Sequence, residues 1–248
     1  MKKKLLMFAA LLAVSAAPVW AAGINLGWLD CPSGPTYTLS RTFACASNAG
    51  TNTLFASYVA PAGIDNQTAN TVIIDIQSDQ AALPPWWTLG SGQCRPGSLL
   101  GNFDFTTGPG TCQDYWQGGA TGGVNWGVLP NTTNRCRIKG VFALPAGSPF
   151  IAPLVEGVEY YSCKILVNNL KSTGLGACAG CSNQACIVLN EIILNQAAPS
   201  PPITSLINPA ASNYCIWQAW TTSDPNNQCP AVTPARKATW GSIKALYR

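Results

Sequence analysis

Three cysteines within nine residues, Cys178-Ala-Gly-Cys181-Ser-Asn-Gln-Ala-Cys186, are the densest group of reactive side chains in this sequence. Three thiolates with a C-x-x-C pair can hold zinc if Cys136 or Cys163 supplies a fourth ligand, and the C-x-x-C pair alone can cycle between dithiol and disulfide. A redox pair of that kind opens a helix. Here Ile187-Val188-Leu189-Asn190-Glu191-Ile192-Ile193-Leu194 follows, a run that favours a strand. The expected role is structural, with bridges stapling a tight turn. Eleven cysteines occur in all, at 31, 45, 94, 112, 136, 163, 178, 181, 186, 215 and 229. In an exported chain this density reads as disulfides. Cys31–Cys45, Cys94–Cys112 and Cys215–Cys229 are the short-range pairings, each closing a loop rich in Gly, Pro or Asn; spacing alone does not fix connectivity. The odd count leaves at least one thiol over. Cys163, inside an apolar strand pattern, is the candidate for a buried one.

The sequence contains no histidine, which removes Ser-His-Asp and Cys-His nucleophilic sites, His-ligated zinc and C-x-x-C-H haem attachment. Ten carboxylates remain. The candidate pairs are Asp104 with Asp114 and Glu156 with Glu159, since hydrolases that cleave sugars use two carboxyls at set spacing. Glu156 and Glu159 face opposite sides if they share a strand, and Asp104 alternates with Phe103 and Phe105 on a polar face. A carboxylate hydrolase built on Asp104, Asp114 or Glu156 is therefore the least favoured class. Asp65-Asn66 and Asp75/Asp79 offer isolated oxygen donors for calcium without an EF-hand pattern. The reading is non-catalytic, with no cofactor and no metal.

The aromatic residues suggest a different chemistry. Pro84-Pro85-Trp86-Trp87 precedes Gly90 and Cys94, Tyr115-Trp116 follows Cys112, and Trp126 lies in Gly-Gly-Val-Asn-Trp-Gly-Val. A disulfide-held loop that presents an indole offers a flat apolar face to a sugar ring, with neighbouring Asn, Gln and Asp for the hydroxyls. Trp86, Trp87, Tyr115, Trp116 and Trp126 are the expected ligand-binding residues. The competing expectation is that such rings seal a core. In an extended segment Trp86 and Trp87 alternate, so one of them should be exposed or covered by another loop.

These residues sit in a chain with an export leader. Lys2–Lys4, the apolar run Leu5–Val14 and Val19-Trp20-Ala21 form a signal sequence over residues 1–21, with cleavage before Ala22. The run is too short for a membrane anchor, so no membrane span is expected after cleavage. Without the leader's three lysines, 11 basic residues face 10 acidic ones. Nucleic acid is not an expected partner, because it requires clustered cations. The expected location is secreted or cell-surface, with the periplasm as an alternative.

Strand signals recur between Gly- and Pro-rich turns at Leu54–Val59, Thr71–Ile76, Leu99–Phe105, Arg137–Leu144, Val158–Val167 and Cys186–Leu194. Several alternate in the two-residue period of a half-buried strand. The pattern predicts an all-β fold, an antiparallel β-sandwich of jelly-roll type with disulfide-stapled loops, over residues 22–196. Residues 197–235, with seven prolines, read as an extension carrying a small disulfide loop. Residues 236–248 form an aromatic and basic tail, either docked on the domain or serving as an assembly tag for a partner.

The stretches Gly23-Ile-Asn-Leu-Gly-Trp28-Leu-Asp-Cys31, Glu159-Tyr-Tyr-Ser-Cys163-Lys-Ile-Leu-Val-Asn, Cys178–Cys181, Cys186–Ile192 and Thr239-Trp240-Gly-Ser-Ile-Lys-Ala-Leu-Tyr-Arg248 resemble exported, Cys-rich bacterial β-sandwich proteins. That resemblance carries no activity and transfers no catalytic residue. At fold level the strand pattern and loop tryptophans are similar to jelly-roll carbohydrate-binding modules, which implies binding of a polysaccharide or another cell-surface ligand. The second expectation is an extracellular structural or surface-assembly protein that docks through its tail.

Overall fold

A computed structural model describes residues 21–201 and 203–219. Within them the chain is all-β. The strands are β1 (Gly23–Trp28), β2 (Ser40–Arg41), β3 (Thr51–Val59), β4 (Gln67–Ser78), β5 (Leu99–Asn102), β6 (Thr121–Val128), β7 (Arg135–Ala143), β8 (Glu159–Asn168), β9 (Ala185–Gln196), β10 (Ile203–Leu206) and β11 (Tyr214–Trp217), with a short 3-10 turn at Pro85–Trp87. All six expected strands form, the one expected at Leu99–Phe105 only over Leu99–Asn102. The expectations for the leader before Ala21, for residues 220–235 including Cys229, and for the tail 236–248 lie outside the described residues.

The strands divide into two sheets, ordered β1-β3-β8-β5 and β2-β11-β9-β4-β7-β6, with β10 paired to β9. Antiparallel β3·β8 in one sheet continues as antiparallel β4·β7 in the other. β5 lies beside β8 and β6 beside β7. This wrapping of one antiparallel ribbon across two sheets is the jelly-roll principle. Side chains from both inner faces meet in one contiguous core. β7 shows why its sequence makes a strand: Cys136, Ile138, Gly140 and Phe142 turn inward, while Arg137, Lys139 and Val141 turn outward. β10 and β11 correct the expected boundary at 196. They hydrogen-bond to opposite ends of β9, so the chain through residue 219 belongs to the sandwich. Four-residue strands among prolines carry little pattern of their own; the long β9 edge supplies their partners.

The disulfides also differ from the short-range expectation. The bridges are Cys31–Cys112, Cys45–Cys181 and Cys94–Cys178, separated by 81, 136 and 84 residues. Each joins loops that the fold brings together from distant parts of the sequence. Cys186 is disulfide-bonded as well. All three sulfurs of the 178–186 cluster are thus bridged, which disposes of zinc and of a C-x-x-C redox pair. Cys163 is a buried thiol, as expected, and so is Cys136. Cys215, expected to bridge to Cys229, carries a thiol instead; burial raises it well above the usual range.

Candidate functional site

Four of the five expected binding aromatics are core residues. Trp86, Trp87 and Trp116 have no exposed surface and Tyr115 is 5% exposed. The alternation argument for Trp86 and Trp87 fails because Pro85–Trp87 is a 3-10 turn, where neighbours lie about 120° apart rather than on opposite faces. Both rings pack on Trp217, at 4.7 and 5.2 Å between centroids. Phe43 stacks on Trp217 from another loop at 4.2 Å. The Trp86 indole N–H donates to Ser172 Oγ at 2.9 Å, and that of Trp217 to the Cys181 carbonyl at 2.8 Å. Arg95 completes this knot. Its guanidinium carbon lies 3.7 Å from the Trp86 ring centroid, and it donates to the carbonyls of Trp86, Asn168 and Leu170. Burial lowers its pKa to about 10. The Cys45–Cys181 and Cys94–Cys178 bridges close over the cluster. Across the sandwich, Trp116 Nε1 donates to the Ser162 carbonyl (2.8 Å) and the Tyr115 hydroxyl to that of Gln67 (2.6 Å). With their rings covered and the polar tips of Trp86, Trp116 and Tyr115 hydrogen-bonded, these residues seal the core; Trp87 Nε1 alone of the four is buried without a partner among the described residues.

The carboxylate pairs also separate. Asp104 is exposed beyond the end of β5 and accepts from Thr106 N and Oγ1; these bonds hold its carboxyl below the usual range. Asp114 Oδ1 accepts from the backbone of Trp116 and Gln117. Both are turn-forming acids. Glu156 is exposed in the turn before β8. The two acids that do come together are Asp30, which the sequence reading passed over, and Glu159. Asp30 accepts from Tyr161 OH (3.0 Å) and Thr111 Oγ1 (2.7 Å), while Glu159 Oε1 accepts from Asn25 Nδ2 (2.8 Å) and Ser57 Oγ (2.7 Å). The nearby Cys31 and Cys112 sulfurs are committed to a bridge, so the cluster offers no thiolate to a metal.

Burial, reinforced by the Asp30 charge, raises the Glu159 carboxyl above its ordinary value. A raised folded-state pKa means that the native state binds this proton more tightly. Stability attributable to this group therefore falls as pH rises through the window between its unfolded and folded values. Glu159→Gln keeps an acceptor for Asn25 and Ser57 without the charge. It is expected to raise the urea midpoint at neutral pH and to flatten its dependence on pH just above the ordinary glutamate range. A lower midpoint at neutral pH would refute this account.

Trp126 alone of the five is part-exposed. It lies on β6, where its ring packs so close to Gly90 that an added Cβ there would sit 2.9 Å from it. Beside it the outer face of β6–β7 holds a shallow depression of about 230 Å³, lined by Asn125, Trp126, Gly127, Leu129, Arg137 and Lys139. Side-chain alternation and register build it. Asn125 lies opposite Lys139 and Gly127 opposite Arg137. A Cβ on Gly127 would meet nothing within 4 Å, so the floor is open. Arg137 is held in a two-pronged pair with Asp75 on β4, Nε to Oδ1 at 2.6 Å and Nη2 to Oδ2 at 2.8 Å. Asp75 is itself buried, which fixes the guanidinium in place. Lys139 is exposed and forms no ion pair among the described residues. The Trp126 ring turns to the inner side with its register partner Ile138, so the outer face presents one anchored and one unpaired cation and an amide, chemistry suited to an anionic, hydroxyl-rich ligand. The alternation Arg135-Cys-Arg137-Ile-Lys139-Gly-Val141-Phe in the sequence carried the signal for these cations. A second depression, about 350 Å³, runs along Ala81–Pro85 beside Ala179 and is mostly apolar.

No protein-family model matches the chain, and no curated protein matches it in sequence.

Proposed function

We propose that the chain is an exported, non-catalytic binding protein, secreted or held at the cell surface, that engages acidic polysaccharide through the outer face of β6 and β7. The observation that carries this reading is the convergence of Asn125, Arg137 and Lys139 on an open-floored depression on the outer face of β6 and β7. Long-range disulfides support the compartment, because they persist where the surroundings are oxidising. Among the described residues no helix is long and apolar enough to cross a membrane.

Affinity electrophoresis of the oxidised protein in gels containing alginate, polygalacturonate or neutral glucans tests the proposal. Retardation is expected in the acidic gels, reduced by added salt as exposed charge contacts require and abolished by Lys139→Ala in a protein of unchanged near-ultraviolet spectrum. Equal retardation of wild type and Lys139→Ala, or none in any acidic gel, overturns it. The second reading, a surface-assembly protein, draws on the open edge of β6.

A further inference from the structure

The sheet edges of this sandwich are unequally protected. β2 has two residues, and β5 and β10 have four each, too short to template another strand. β1 is covered along its outer side by the segment before β11: Ile24 N donates to the Asn208 carbonyl and Leu26 N to that of Ser212, both at 2.8 Å, and Ala210 N returns a bond to the Ile24 carbonyl. β6 is different. Among the described residues it ends the larger sheet, pairs only with β7, and runs for eight residues without a register shift. Its sequence, Thr-Gly-Gly-Val-Asn-Trp-Gly-Val, contains no charge and no proline. Natural proteins use charges, prolines and bulges to stop edges from pairing, and β6 has none of these. The Trp126 N–H meets only the side chain of Asn125, at 2.8 Å. Alternation along the strand then turns the N–H and C=O groups of Val124, Trp126 and Val128 to the open side.

We propose that β6 is the pairing edge of a symmetric dimer, in which two copies of this chain join antiparallel about a two-fold axis at Asn125. Parity singles out registers that keep both inner faces on the same side, and the one centred on Asn125 pairs seven of the eight strand residues, 122–128. It sets Val124 opposite Trp126 of the second copy, Gly123 opposite Gly127, and Asn125 opposite its own counterpart. Gly123 and Gly127 both have open space where a Cβ would stand, so the outer surface stays flat across the junction. The second copy is the occupant because the strand is complementary to itself: with no charge on either side, nothing opposes its own copy. The two side-chain amides at the axis can exchange hydrogen bonds. Pairing leaves the β6–β7 depression uncovered and brings two such faces onto one continuous sheet. The proposal stands independently of what that depression binds.

Sedimentation velocity of the oxidised protein over a concentration series, without ligand, tests it. The wild-type mass is expected to rise from one chain toward two. Asn125→Lys and Asn125→Asp each place like charges directly opposite one another and are expected to weaken the dimer about tenfold or more. Asn125 is exposed, so both variants should keep the wild-type near-ultraviolet spectrum. An equimolar mixture of the two variants restores an opposite-charge pair and is expected to recover the dimer. A wild-type protein that stays monomeric, variants that dimerise as well as wild type, or a mixture that gains nothing over either variant would each overturn the proposal.

Discussion

Trp86→Ala is expected to cripple folding rather than to spare the fold and remove a ligand contact. Replacing a buried tryptophan by alanine costs about 3–5 kcal/mol in lost burial and cavity formation. Here the vacated space lies between Trp87, Trp217 and the Arg95 guanidinium. Arg95 has no exposed surface and, among the described residues, no carboxylate partner; it is held by three carbonyls and the Trp86 ring. Removing that ring leaves a cation whose burial is only partly compensated, which adds to the cost. Against a typical domain stability of about 5–15 kcal/mol, the loss is a large fraction. Urea unfolding followed by tryptophan fluorescence should show a much lower midpoint for Trp86→Ala than for Trp126→Ala, whose ring is only partly buried at the margin of the core. Similar midpoints for the two variants would refute the core assignment of Trp86.

The second large effect concerns the bridges that close over the same cluster. Cys45–Cys181 and Cys94–Cys178 span 136 and 84 residues. By chain entropy, cross-links of that span remove about 4–5 kcal/mol each from the stability of the unfolded ensemble. The double replacement Cys45→Ser/Cys181→Ser is therefore expected to lower the thermal midpoint sharply. Losing both bridges should leave the loops around Trp217 unable to hold the knot closed. Calorimetry of the wild type with and without a thiol reductant gives the same comparison without mutation. A midpoint that reductant does not move, in a protein shown by thiol titration to be reduced, would contradict this.

The strands legible in the sequence were those that carry their own periodicity. β4, β7, β8 and β9 are long, rich in β-branched residues and alternate, so the fold class followed from them. β6 looked like a glycine-rich loop, because Thr-Gly-Gly-Val-Asn-Trp-Gly-Val has few residues of high strand propensity; its strand character comes from pairing with β7. β10 and β11 were hidden for the same reason. The aromatic residues misled because an indole serves a core and a sugar site equally well, and only the backbone path decides. Pro84-Pro85 was the available cue: a proline pair pre-sets a turn, and a turn lets both following rings point inward. The cation pair of the candidate face was readable from the alternation on β7. Its anchor, Asp75, was not, since the β4–β7 register is a tertiary fact.

The sulfur connectivity has a consequence for how the molecule is made. Cys31–Cys112 interleaves with both other described bridges, and Cys94–Cys178 is nested within Cys45–Cys181. On the proposed export route, a chain threaded N-terminus first through a translocon would deliver Cys31 and Cys45 to the oxidising side long before Cys181. Oxidation in order of arrival joins neighbours, and every described bridge demands that neighbours be refused. On that route correct pairing requires thiol–disulfide reshuffling, and a host with a strong oxidant but little isomerase would fill with mis-bridged chains.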